Sequence, residues 1–406
     1  VPLFKPDAAQ TLAWAALLIF LGLFLKNRVH ILNRLNIPSP VVGGTIVAVT
    51  ILLLRQGVAE FQFDRTVEPI LQVAFFTSIG MSASLALLRR GGIPTVIFLV
   101  MSTVMCLVQN FLGMGIAQAF GIHPLVGVMA GSVTLVGGPA TGAAFAGDFE
   151  KAGVIGAASL AIAAATFGIV CGGLLGAPLG TWLVERRAGR VAHKRRSEPH
   201  DDPAFVAETE TRLEIDAESE NTPLLRNILI LCVAMGVGAV VSAWIRGQGV
   251  TLPAYIGAMM VASILRNLDD ATGWLKISAP FMDLLGSLSL TLYLALILLN
   301  LRLWELAHLA LPLVTILIAQ VIVTGLFALV VSYPVMGRDY ESAVMAGGFV
   351  GFVLGTTANA LTNMRTLVER YGPAPRAFLI VPLVGAFFID FINALIITTF
   401  LNWFGK

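Results

Sequence analysis

Cysteine, histidine and charge are all scarce in this chain. Three cysteines occur in 406 residues, and Cys106, Cys171 and Cys232 each lie inside an apolar run. That excludes a disulfide framework and a cysteine-based metal site. The five histidines show no ligand spacing, and His193 and His200 fall in a polar stretch. Only 12% of the residues are charged against 57% hydrophobic, which excludes a soluble globular class and indicates a polytopic helical membrane protein. The net charge of +2 carries little information, because in such proteins the placement of charge matters more than its sum. No basic segment precedes the first apolar run. Lys26, Arg28 and Arg34 follow it instead, so no signal peptide is expected.

What is present is a duplication. Residues Leu125 to Ala146 read LVGVMAGSVTLVGGPATGAAFA, two short apolar arms flanking a tip from Gly137 to Gly142. Each arm is too short to cross a bilayer, which takes about 20 helical residues. One continuous, glycine-packed helix would be the plain reading of the stretch by itself. However, VMAGSVTLVGGPATGAA (Val128 to Ala144) aligns without a gap on VMAGGFVGFVLGTTANA (Val344 to Ala360), with Thr141 on Thr357. A packing glycine has no reason to recur with its neighbours half a chain away, whereas a duplicated re-entrant hairpin does. Paired interrupted segments of this kind are the best sequence-level pointer to a transporter's binding site.

The remaining apolar runs fit the same duplication. Spans are expected near Ala8–Leu25, Ile37–Leu54, Ile70–Leu88, Val96–Phe120 and Ile155–Val184, and again near Leu224–Ile245, Thr251–Leu265, Phe281–Leu299, Leu309–Val331 and Ala377–Trp403. The expected fold is therefore an all-α polytopic membrane protein. It has two inverted repeats of five transmembrane helices, residues 1–184 and 223–406, each with a re-entrant hairpin, at 124–147 and 342–364. A charged linker, 185–222, joins them. Five crossings per repeat force the second to start on the opposite side, which inverts it. With both termini external, the outer side holds only Lys5, Arg55, Arg65, Lys151, Arg246, Arg302 and Lys406 of the 26 basic residues, a clear positive-inside bias. The linker is then cytoplasmic. Its run ERRAGRVAHKRR needs no nucleic-acid partner, since an inner loop obeying topology explains it, and its acidic tail is a solvated tether.

Within the spans no arginine or lysine lies deep, and Asp390 is the one carboxylate well inside an apolar run. An intramembrane acid is a functional-site candidate by default. Asn393 shares its helix face, three residues on. Gln109, Asn110 and Gln320 are mid-span amides. Oxygen ligands from amides, hydroxyls, carbonyls and one carboxylate suit a hard cation such as sodium, which gives Asp390, Asn393, Gln109 and Asn110 as candidate sodium residues. A carboxylate substrate would meet helix N-termini and tip side chains: Gly137, Gly138, Thr141 and Gly142 in the first hairpin, and Gly355, Thr356, Thr357 and Asn359 in the second. Arg365, just past the second hairpin, is the nearest cationic candidate.

Four segments, IPSPVVGG (Ile37 to Gly44), FFTSIGMSASL (Phe75 to Leu85), SLSLTLYLAL (Ser287 to Leu296) and VERYGPAPRAFLIVPLVGAFFIDFINALI (Val368 to Ile396), carry a resemblance to the bacterial sodium/glutamate symporters. The resemblance implies a sodium-coupled importer of L-glutamate in the inner membrane. It implies sodium as the coupling ion with no organic cofactor, a homodimer, and a transport domain moving against a scaffold. The chain departs from the family's tips at Pro139 and Ala140, where GGHGT is usual, and at Val353, Thr356 and Ala358 in the second. A related dicarboxylate or another amino acid is the alternative substrate. An ion channel would favour a continuous polar path, and an intramembrane enzyme would need a nucleophile with a base or metal cluster. Neither pattern is present. Reporter fusions after Lys26, Arg90 and Arg196 should all read cytoplasmic, and an external reading at Arg196 would overturn the inverted arrangement.

Overall fold

The structure, a computed structural model, describes residues 3–55, 60–187, 222–247 and 253–405. Beyond Arg187 the charged linker lies outside the described residues. Besides a short helix at His30–Arg34 and a 3-10 helix at Leu303–Leu309, fifteen helices organise the described residues: α1 (Ala8–Arg28), α2 (Ser39–Leu54), α3 (Glu68–Ser82), α4 (Leu85–Ala119), α5 (Pro124–Val133), α6 (Gly138–Lys151), α7 (Ala157–Arg187), α8 (Thr222–Gly247), α9 (Ala254–Thr272), α10 (Ala279–Leu299), α11 (Ala310–Val335), α12 (Tyr340–Leu354), α13 (Thr357–Tyr371), α14 (Pro375–Leu383) and α15 (Ile389–Phe404). A two-residue parallel strand pair, Leu3–Phe4 with Glu60–Phe61, is the one addition to the all-helical expectation among the described residues.

Among the described residues, six helices are long and apolar enough to cross a membrane: α1, α4 from Gly91, α7, α8 from Leu224, α10 and α11. The lipid-facing character is visible in the rows of exposed leucine, valine and phenylalanine along α1, α8 and α11, where a soluble protein would place polar groups. The second and seventh expected spans correspond to the shorter α2 and α9. The third boundary differs from expectation. Instead of one helix from Ile70 to Leu88, the chain breaks after Ser82 and restarts at Leu85. Asn267 of α9 explains the break, since its side chain donates to the Ala83 carbonyl and accepts from the Leu85 amide, replacing the lost helical bonds. The tenth span is likewise α14 and α15 joined through a wide turn at Val384–Phe388.

Packing sorts the helices into two groups. In the first, α3 lies against α8, α9 and α10, and α1 against α2 and α10. In the second, α12 is the centre, packed on α7, α13, α14 and α11, while α4 holds α5, α11 and α14. Without a hydrophobic drive between helices in lipid, close backbone approach supplies the attraction. On α7, Gly168, Gly172, Gly176 and Gly180 fall four residues apart on the face that meets α12 and α13. A Cβ on Gly176 would stand 2.1 Å from Asn363 Nδ2 and 2.5 Å from the Gly347 carbonyl oxygen. The α4–α5 crossing is tighter still, because a Cβ on Gly127 would lie 2.0 Å from the Gly113 carbonyl.

Gly127→Val should therefore cost ~3 kcal/mol or more of stability, since backbone cannot yield as a flexible side chain does. Gly115→Ala, with nothing within 4 Å of the added Cβ, should be tolerated. Thermal unfolding of the two variants in detergent checks the contrast.

Candidate functional site

Both duplicated segments are broken helices. In the first, α5 loses regular geometry at Gly131 (ψ −130°), the chain turns through Val136 and Gly137, and α6 begins at Gly138 with φ +66°. That left-handed start is where glycine is required. In the second, α12 ends at Gly355 and Thr356 caps α13, its hydroxyl accepting from the Asn359 amide at 3.4 Å. The α12 and α13 arms pack on each other. The continuous-helix reading fails for both segments.

The two breaks meet. A Cβ built on Gly138 would lie 3.8 Å from the Gly355 carbonyl oxygen and 3.9 Å from Thr356 Cγ2. Around this junction is a cavity of about 220 Å³. Val136 to Ala140, Gly355 to Thr357, Gly385 and Asp390 line one wall, all from the second helix group. Pro38, Pro40, Phe75, Leu290, Thr291 and Leu294 line the other, from the first. No arginine or lysine lines it. The positive potential there comes from the amino ends of α6 and α13, whose first amides have no intrahelical acceptors.

Of the residues singled out from sequence, Gly137, Gly138, Gly355, Thr356, Thr357 and Asp390 come together in this cavity. Thr357 donates to the Gly385 carbonyl at 2.8 Å, fixing the second tip to the turn that leads into α15. Asp390 is only half-buried and reaches the cavity from α15. Thr141 and Gly142 pack behind the tip instead, Thr141 being 5% exposed. Asn359 is a joint: its Nδ2 donates to the Ile169 carbonyl of α7 at 2.8 Å, and its Oδ1 accepts from Asn36 at 3.2 Å. Arg365 is exposed on α13 and takes no part.

Behind the first tip lies a cluster of buried amides. The kink at Gly131 takes Ser132 out of the helical ladder. Asn110 Oδ1 accepts from the Ser132 amide at 3.0 Å, and Asn393 Nδ2 donates to the Ser132 carbonyl at 2.9 Å. Gln109 Nε2 donates to the carbonyl of Val353 at 3.2 Å, near the frayed end of α12, and Gln320 Nε2 to the carbonyl of Gln109 at 2.7 Å. Every one of these side chains is buried, yet Gln109 Oε1, Gln320 Oε1, Asn393 Oδ1 and Ser132 Oγ lack a hydrogen-bond partner. An orphaned buried polar atom costs about 1–3 kcal/mol, so a group of them in one place calls for a ligand. Sequence reasoning had Gln109, Asn110 and Asn393 as site residues, had Gln320 only as a mid-span amide, and missed Ser132, Gly385 and Thr291. Thr291 and the two prolines sit in the matched segments SLSLTLYLAL and IPSPVVGG, which was the available signal.

The profile of the sodium/glutamate symporters matches residues 4–373 of the chain. A sodium/glutamate symporter of Haemophilus influenzae is 40% identical over 393 residues, 95% of each chain. Another from Escherichia coli is 38% identical over 401 residues, 98% of each. The chain belongs to the sodium/glutamate symporter family. Its members are carriers and not enzymes.

Asn110→Leu keeps the volume but strands the Ser132 amide. It should destabilise the symporter by about 1–3 kcal/mol, read as a lowered unfolding midpoint in detergent.

Proposed function

We propose that this symporter carries L-glutamate into the bacterial cell, coupled to sodium, across the inner membrane. The observation that supports this best is the meeting of two broken-helix tips in one cavity walled by both helix groups. A cavity shared between two separately packed groups opens to one side or the other when the groups shift, which is alternating access. Helices occur in the same order in residues 1–184 and 223–406, as two inverted repeats would require, with the hairpins entering from opposite faces. Both termini are external in this scheme and the linker is cytoplasmic. The second group is the moving transport domain and the first the scaffold, through which two copies associate as a homodimer.

The carboxylates of the substrate are received by the amino ends of α6 and α13, at Gly137, Gly138, Gly355, Thr356 and Thr357. Thr141, Gly142 and Asn359 hold those tips in shape from behind. Anions gain at helix N-termini from the aligned peptide dipoles and the free amides, and in a water-poor cavity that gain is larger than at a surface. Sodium fits the orphaned oxygens of Gln109, Gln320, Asn393 and Ser132, with Asn110 holding the Ser132 backbone in place. Asp390 supplies the charge that neutral amides lack. It stands three residues before Asn393 on α15 and lines the cavity, so the ion and the substrate share one electrostatic site in this reading. Substrate and ion then each lower the cost of bringing the other out of water, which is coupling.

Asp390→Asn keeps an oxygen and removes the charge. Uptake of labelled glutamate into liposomes should then require much more sodium or fail to concentrate the substrate. Full uptake at unchanged sodium dependence would make Asp390 a structural acid. Absence of sodium-driven glutamate uptake by the unaltered protein, with aspartate or a simple dicarboxylate taken up instead, would move the proposal to that substrate.

A further inference from the structure

A second cavity, of about 200 Å³, lies between the same two helix groups, at the end that the charge bias assigns to the exterior. Its floor belongs to the first group: Glu68 and Gln72 on α3, Tyr293 on α10, and Asn300 just past the end of α10. Its opposite wall is the outer half of α6 and the first turn of α7. Arg65, Glu150, Arg302 and Glu305 complete the lining. Nothing in the transport reading above uses these residues.

Glu68 is 8% exposed and poorly matched in charge. Asn300 Nδ2 donates to its Oε1 at 3.2 Å, but the nearest cation is Arg65 Nε at 3.9 Å, on a side chain that is 57% exposed. Water screens so exposed a partner. Arg302 is engaged by Glu305 at 3.4 Å. Three carboxylates face two guanidiniums, and the carboxylate on the floor is the one left short. Tyr293, 2% exposed, lines the same floor, and its hydroxyl has no hydrogen-bond partner among the described residues. Gln72 commits its Nε2 to the Ala144 carbonyl at 2.9 Å, and Asn300 its Nδ2 to Glu68, so each amide keeps its oxygen as the free end.

We propose that this outer cavity is a second sodium site, separate from the amide cluster, in which Glu68, Tyr293 and the amide oxygens of Gln72 and Asn300 hold one cation. Hard oxygens with one carboxylate suit a monovalent ion, since a divalent ion is usually given more charge by its ligands. The substrate amino acid fits less well, because Arg302 is already held by Glu305 and the Arg65 side chain stands largely in solvent. Ligands come from the first group, while the wall that closes over them comes from α6 and α7. An occupied site therefore fastens the two groups at their outer edge.

Equilibrium binding of radioactive sodium to purified, full-length protein tests this without using glutamate, so its failure is distinct from failure of the transport reading. Glu68→Gln should remove one sodium per chain, and Asp390→Asn should leave that sodium bound. Tyr293→Phe preserves the ring packing and should weaken the same component by roughly tenfold, the loss of one buried ligand. If Glu68→Gln binds as many sodium ions as the unaltered protein, with the same affinities, the proposal is wrong. If Glu68→Gln does not fold, Tyr293→Phe decides, and unchanged sodium affinities in that variant overturn the site.

Discussion

A backbone amide or carbonyl in the hydrocarbon core has no water to turn to, and each one left bare costs several kcal/mol. Two interrupted helices at that depth therefore demand a supply of side-chain partners, and much of the second helix group is arranged to provide them. Asn110 takes the Ser132 amide that the Gly131 kink releases, and Asn393 adds a second donor to the Ser132 carbonyl, which also accepts from the Gly137 amide. Gln109 takes the Val353 carbonyl, and Thr357 the Gly385 carbonyl in the adjoining turn. Each break thus dictates which polar residues surround it, and those residues then have second ends with nothing to bind. The orphaned polar atoms follow from the repair of the backbone.

That dependence explains what could be read from sequence and what could not. The breaks were legible because VMAG recurs 216 positions on, and a repeated irregularity is informative where a single one is not. Asp390 was legible because an acid in an apolar run is costly unless it has a task or a packing partner, and it does reach the cavity. Ser132 was not, since a serine in a small-residue run reads as packing until the kink beside it is known. Asn359 misled in the other direction. It sits at a tip and is polar, yet its amide belongs to the Ile169 carbonyl. The break after Ser82 was also invisible, because its repair comes from Asn267, 185 positions away in an apolar helix.

The two helix groups are held together by different means. Inside the second, glycines bring α7 and α12 to backbone contact, and buried side-chain hydrogen bonds join α4, α5, α11, α12 and α15. Across the boundary lie two cavities, one at the tips and one at the outer end, with an aromatic cluster nearby in which Tyr255 is tilted against Phe76 and edge-on to Phe145, ring centroids 4.8 and 5.3 Å apart. Directional bonds resist sliding, whereas apolar and aromatic contacts exchange neighbours at little cost. Directional bonds are dense within the second group, and those between the groups, such as Gln72 to the Ala144 carbonyl and Asn36 to Asn359, sit beside the apolar and aromatic contacts.

The attachment of α13 carries one more consequence. Asn359 and Asn363, one turn apart, both reach across to carbonyls of α7, at Ile169 and Gly172. These two rivets fix the helix along its length, and the glycine stripe leaves no slack beneath it. A hairpin so fastened cannot swing outward like a door on a hinge. The second hairpin and α7 are therefore one rigid piece, and any shift that reshapes the cavity must change the distance between that piece and the facing wall of Pro38, Phe75 and Leu290.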